Sequence, residues 1–62
     1  MGRLRITWKR SAIGCPQDQR DTLRSLGLRR LHQAVVRPDT PAVRGMVEKV
    51  KHLVQVEAVE EG

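Results

Sequence analysis

Residues 3 to 9 alternate without a break, with Leu4, Ile6 and Trp8 on one side and Arg3, Arg5, Thr7 and Lys9 on the other. A period of two describes a strand with one dry face and one wet face. In a chain of 62 residues that requirement decides much of the rest, because the remaining residues must cover the apolar side. Trp8 is the only aromatic residue, and the other apolar side chains are mostly Val and Leu. A chain this short hides roughly 60% of the surface its unfolded form exposes, so the core is thin and a bound partner adds much to its stability. The expected unit is one domain over residues 1–62.

The rest of the chain is punctuated by helix signals. Pro16 suits a first helical position, where its missing N–H has no partner in any case. The helix it opens carries Asp18 and Asp21 in its early turns, where the macrodipole favours negative charge, and Leu23 and Leu26 on one stripe. Gly27 is the left-handed stop, with Leu28 folding back as the apolar contact that accompanies such stops. A second strand is expected over roughly 32–37. Val35 and Val36 are adjacent, so one of them must point away from the helices, and Pro38 marks an edge strand or a strand end. Thr40-Pro41 starts a second helix, the hydroxyl capping free amides, and Val43, Met46 or Val47, and Val50 follow at helical spacing. Gly45 interrupts that helix at about 1 kcal/mol relative to Ala, which implies that something approaches closely there. Residues 53–59 form a third strand with Val54, Val56 and Ala58 on one face. The order is β-α-β-α-β, an α+β arrangement of two layers. Periodicity leaves open whether the strands run parallel or antiparallel.

Charge indicates the partner. The chain carries 12 Lys or Arg against 7 Asp or Glu. Residues 1–37 hold nine of the cations against only Asp18 and Asp21, whereas residues 52–62 hold Glu57, Glu60 and Glu61 and neither Lys nor Arg. Nine of the twelve cations are Arg, whose planar fork pairs with phosphate oxygens two at a time. A basic side that meets a polyanion and an acidic end that faces water is the simplest reading, with nucleic acid as the first partner to test.

Within that reading the candidate contacts are specific. Arg29 and Arg30 follow the helix stop, where paired guanidiniums and free turn amides can hold a phosphate backbone; the alternative is a solvated basic turn. Lys9, Arg10 and Ser11 end the first strand beside the amino end of the first helix, which presents unpaired N–H groups. Arg44 and Gly45 lie in the first turns of the second helix, where an absent side chain admits an RNA backbone or, alternatively, a packing neighbour. His32 can stack on or hydrogen-bond to RNA, and Arg24 and Lys51 add backbone contacts. Arg3 and Arg5 share the open face of the first strand, Arg20 is expected to pair locally with an acid, and Trp8 is expected in the core.

Other chemistries fit poorly. A single Cys15 and two distant His residues give no zinc spacing and no disulfide. Cys15 also has no nearby His to make it a nucleophile. No apolar run approaches the roughly 20 residues that span a bilayer. Met1-Gly2 is a weak myristoylation signal because Thr7 lies one place too far. A small phosphate hydrolase on a similar sheet needs a positioned Asn or acid to orient water, and the chain contains no Asn. A cytoplasmic protein with no cofactor, no metal, no membrane and no small-molecule substrate is expected.

The residues also carry a resemblance. Ser11-Ala12-Ile13-Gly14, the run from Leu23 through Leu26-Gly27-Leu28-Arg29-Arg30-Leu31-His32 to Gln33, the run Arg37-Pro38-Asp39-Thr40-Pro41-Ala42-Val43-Arg44-Gly45-Met46-Val47, and Val50-Lys51-His52-Leu53-Val54 closely resemble bacterial large-subunit ribosomal protein thirty. The resemblance covers about residues 3–59, in order. It implies a three-stranded, mainly antiparallel sheet in order 3-1-2 with two helices on one face, related to ferredoxin-like folds. It further implies a structural, non-enzymatic constituent of the large ribosomal subunit that binds 23S ribosomal RNA, and leaves neighbouring ribosomal proteins open as further partners. Trp8 stands where the family leads one to expect an aliphatic residue, and Glu60-Glu61-Gly62 lies beyond the resemblance. The competing reading is a free-standing small nucleic-acid-binding or protein-interaction module.

Overall fold

The computed structural model describes residues 2–60; the side chain of Glu60, with the residues around it in the acidic end, Met1, Glu61 and Gly62, lies outside the described part. Five elements follow in order: β1 (Gly2–Trp8), α1 (Gln17–Leu26), β2 (Ala34–Pro38), α2 (Pro41–Val50) and β3 (Val54–Glu60). β1 lies in the middle of the sheet, antiparallel to both neighbours, in the order β2-β1-β3. This is the expected 3-1-2 order.

The connection after α1 decides the strand directions. β1 and α1 run opposite ways, so a direct turn into β2 would make β1 and β2 parallel. Instead residues 27–33 carry the chain back to the end of β1, where His32 N donates to Trp8 O at 2.7 Å and Trp8 N donates to Gln33 O at 3.0 Å. β2 then descends antiparallel to β1. At its foot, Asp39 N donates to Gly2 O at 3.2 Å, and α2 returns the chain to the first end to begin β3. There the amides of Lys9 and Arg10 both donate to Leu53 O, at 2.9 and 3.0 Å.

Each helix terminates as its residues dictate. Gly27 adopts φ 96°, its N–H donates to Arg24 O at 2.9 Å, and Leu28 N donates to Leu23 O at 3.0 Å. These two bonds form a Schellman stop, closed by contact between the buried Leu23 and Leu28. Thr40 Oγ1 accepts from Val43 N at 3.2 Å, with Pro41 opening the helix behind it. Pro16 sits one place earlier than expected, as the N-cap of α1 and not its first residue; its side chain can cap nothing, and its carbonyl takes the first helical amides.

The core is one cluster: Leu4 and Ile6 from β1, Leu23 and Leu26 from α1, Val43 and Val50 from α2, and Ala12, Leu28 and Leu53 from the connections. Both helices therefore cover the same face of the sheet. Val35 packs against this core while Val36 stays 43% exposed, which resolves the adjacent pair. Two expectations need correction. Trp8 packs on the edge of the core and is only half-buried. The apolar stripe of β3 is also left partly open, with Val56 at 36% exposure and Ala58 exposed. A ten-residue helix is about 15 Å long whereas a seven-residue strand is about 23 Å, so the helix layer ends before the strand does.

Candidate nucleic-acid interface

Eleven of the twelve cations, all but Arg3, divide into three groups by what they touch. Arg5, Arg44, Lys49 and Lys51 are in ion pairs: Arg5 with Glu57 at 3.7 Å, Arg44 with Asp39, Lys49 with Asp18 at 3.1 Å and Lys51 with Glu48 at 2.7 Å. Arg20 and Arg37 donate to main-chain carbonyls, Arg20 Nη2 to Ala12 O at 3.2 Å and Arg37 Nε to Leu26 O at 2.9 Å. The side chains of Lys9, Arg10, Arg24, Arg29 and Arg30 pair with no carboxylate among the described residues. All five are exposed. Four of the described acids, Asp18, Asp39, Glu48 and Glu57, are thus taken by other cations, and the charge of these five is not offset by a neighbouring carboxylate.

Backbone bonds hold these five in place. Lys9 and Arg10 are fixed by their amides on Leu53 O, and the indole N–H of Trp8 donates to Arg10 O. The Ser11 hydroxyl accepts from Ile13 N at 3.2 Å and turns the loop toward α1. Arg29 N donates to Gln33 Oε1 at 2.7 Å, which folds the connection around Arg29 and Arg30. Arg24 projects from the last turn of α1. Of the five, Arg24 and Arg29 line a surface groove of about 670 Å³, together with Trp8 and Ser11.

His32 stands out by its backbone. Its φ of 71° is the only positive value at a non-glycine position among the described residues, and its side chain is exposed. The left-handed region costs an ordinary residue of order 1 kcal/mol, and here the bond from His32 N to Trp8 O imposes it.

Lys51 belongs to the same end of the molecule through the Leu53 carbonyl that its turn presents to Lys9 and Arg10, though its ammonium is paired with Glu48. Arg44 and Gly45 do not join this cluster. Arg44 lies at the other end, where its guanidinium grips both oxygens of Asp39, the second contact at 2.8 Å. That hydrogen-bonded guanidinium holds the Asp39 carboxyl below its ordinary value, and the carboxylate raises Arg44 in turn. Gly45 has open space where a side chain would be, with no atom within 4 Å of a Cβ built there. Packing within the chain therefore does not require it, and the room it leaves faces outward.

Arg20 departs from expectation, since it holds the loop carbonyl of Ala12 and not an acid. Two features carried no usable signal in the sequence. Arg37 reads as one more surface cation, yet it closes the end of α1. Ile13 is 88% exposed and Leu31 39% exposed, apolar residues outside any periodic pattern that both line the groove.

Among the described residues no cluster of His, Cys, Asp or Glu could hold a metal ion, and no helix is long and apolar enough to cross a membrane. Residues 4–54 match the family described as ribosomal protein L30p/L7e. A protein named large ribosomal subunit protein uL30 from Chloroflexus aurantiacus is 61% identical over 98% of this chain and 94% of its own length. Its namesake in Fervidobacterium nodosum is 62% identical over 98% of this chain and 100% of its own length. That of Geobacillus stearothermophilus is 59% identical over 95% of this chain and 94% of its own.

Proposed function

The chain belongs to the ribosomal protein L30p/L7e family, and from that premise we propose that it is a structural constituent of the large ribosomal subunit, working in the cytoplasm, that binds 23S ribosomal RNA. Its role in translation is to hold RNA segments in place; no step of chemistry is assigned to it. The observation that carries the RNA reading is the sorting of charge: among the described residues Lys9, Arg10, Arg24, Arg29 and Arg30 have no carboxylate partner, while Asp18, Asp39, Glu48 and Glu57 pair with other cations.

The mechanism is electrostatic clamping around rigid turns. Guanidiniums at Arg24, Arg29 and Arg30 bridge phosphate oxygens, and Lys9 and Arg10, with Ser11 beside them, meet the backbone from the loop before α1. Arg44 and Lys51 join by exchanging exposed carboxylate partners for phosphates. Exposed ion pairs are worth about 0–1 kcal/mol, so the exchange costs little. Gly45 lets an RNA backbone approach α2, and His32 offers a ring for stacking or a hydrogen bond. The five unpaired cations alone give a log–log salt slope of about −3.5 to −4.5, and with Arg44 and Lys51 it steepens to about −4.9 to −6.3.

Crosslinking in cells followed by RNA sequencing tests this. The expected result is 23S rRNA crosslinked through the 9–11 and 29–32 segments, with the protein present on large subunits isolated at physiological salt. A protein never found there is instead a free-standing module.

A further inference from the structure

Resting on the RNA reading above, we propose that the groove beside α1 receives an unstacked nucleobase of a single-stranded RNA segment. The groove is lined on its apolar side by Trp8, Leu23, Leu28, Ile13 and Leu31, of which Ile13 is 88% and Leu31 39% exposed. Trp8 forms one wall; its indole N–H is already donated to Arg10 O, so it presents apolar ring surface. Around this apolar interior stand Arg20, Arg24 and Arg29, and no carboxylate lines the groove.

That combination selects the occupant. A paired duplex offers phosphates but hides its bases, and so would leave Ile13 and Leu31 wet. An apolar peptide would cover them but leave the arginines without anions. An extruded nucleotide does both, its flat base lying against aliphatic and indole surface while the flanking phosphates reach the guanidiniums. At about 670 Å³ the groove is in the range of sites that take small ligands. Arg20 fixes the shape by tying the Ala12 carbonyl to α1, which keeps Ile13 on the lip.

Trp8 makes the proposal directly readable, because the chain contains no other Trp and no Tyr or Phe. The full-length protein is titrated with single-stranded oligoadenylate and, separately, with a fully paired RNA duplex, following Trp8 emission and affinity together. The expected result is saturable quenching by the single strand alone. Ile13→Ser, at a residue 88% exposed and so of little effect on folding, should lower affinity for the single strand, and Ile13→Ser with Leu31→Ser, its urea midpoint measured alongside, at least about 5-fold, the low end of what one stacked base contributes, with duplex affinity unchanged. Salt-dependent RNA binding with unaltered Trp8 emission and unaltered affinity in the double variant would overturn the groove proposal and leave the RNA reading standing. A double variant that keeps RNA affinity but is lost from large subunits would overturn it in favour of a neighbouring protein. Absence of any RNA binding would overturn both.

Discussion

Arg37 and Gly27 occupy each other's space: the Arg37 guanidinium lies where a side chain at Gly27 would be, while Arg37 Nε donates to the Leu26 carbonyl at 2.9 Å. A cation on β2 thus completes the C-terminal end of α1, satisfying a carbonyl the helix leaves free and countering the negative end of its dipole. The contact also fixes where the chain turns toward Arg29 and Arg30.

Gly27→Ala therefore faces two costs, a non-glycine residue at φ 96° and displacement of the Arg37 cap. A loss of about 1–3 kcal/mol is expected in urea unfolding. Arg37→Ala should cost about 1–2 kcal/mol by itself, and the double variant less than the sum, because the cap can be lost only once. Strict additivity would mean that the two positions are not coupled.

Gly45→Ala should act in opposite directions on folding and binding. With nothing within 4 Å of the new methyl, the isolated chain gains about 0.5–1 kcal/mol from helix propensity. Incorporation into large subunits should weaken, because the methyl fills the approach reserved for an RNA backbone. A variant both more stable and equally well incorporated would remove Gly45 from the interface.

His32→Gly relieves the left-handed backbone at φ 71° while deleting an exposed ring. Relief is offset by the greater freedom of glycine in the unfolded chain, so stability should change by less than about 1 kcal/mol. Affinity for RNA should fall all the same. Unchanged affinity would make His32 a turn residue only.

The ion pairs predict acid sensitivity. Hydrogen bonding to Arg44 holds Asp39 below its ordinary value, and hydrogen bonding to Lys49 does the same for Asp18. Because both folded-state values are depressed, the stability they add is present above the unfolded Asp value of about 3.9 and is lost as pH falls through the folded values. Urea midpoints should fall as pH drops below about 4. Lys49→Gln should flatten that dependence, as should high salt, since both pairs are exposed. A midpoint equally steep in pH for Lys49→Gln would deny Asp18 its part.

Most of this architecture could be read from the chain because short-range rules and burial agree. Alternation of Leu4, Ile6 and Trp8 gives β1, and Thr40-Pro41 and Leu26-Gly27-Leu28 give the helix limits within a residue. Strand direction was legible only through family resemblance, since it depends on the path of residues 27–33 and on one bond from His32 to Trp8 that no periodicity encodes. The candidate site was half legible. Arg29, Arg30, Lys9 and Arg10 follow from charge and position, but which cations remain unpaired is a tertiary fact: Arg44 meets Asp39 and Lys51 meets Glu48 on helical surfaces, while Arg24, equally helical, meets no acid. The groove was hidden because Ile13 and Leu31 come from separate connections and gain meaning only side by side.

The most direct test of the electrostatic clamp is the salt dependence of affinity for a 23S rRNA fragment, measured for the natural chain and for Arg29→Gln with Arg30→Gln. Removing two phosphate contacts should weaken binding at low salt and make the log–log slope shallower by about 1.4–1.8, with the urea midpoint unchanged. An identical slope for the two proteins would contradict the account, because the twin guanidiniums would then hold no phosphate.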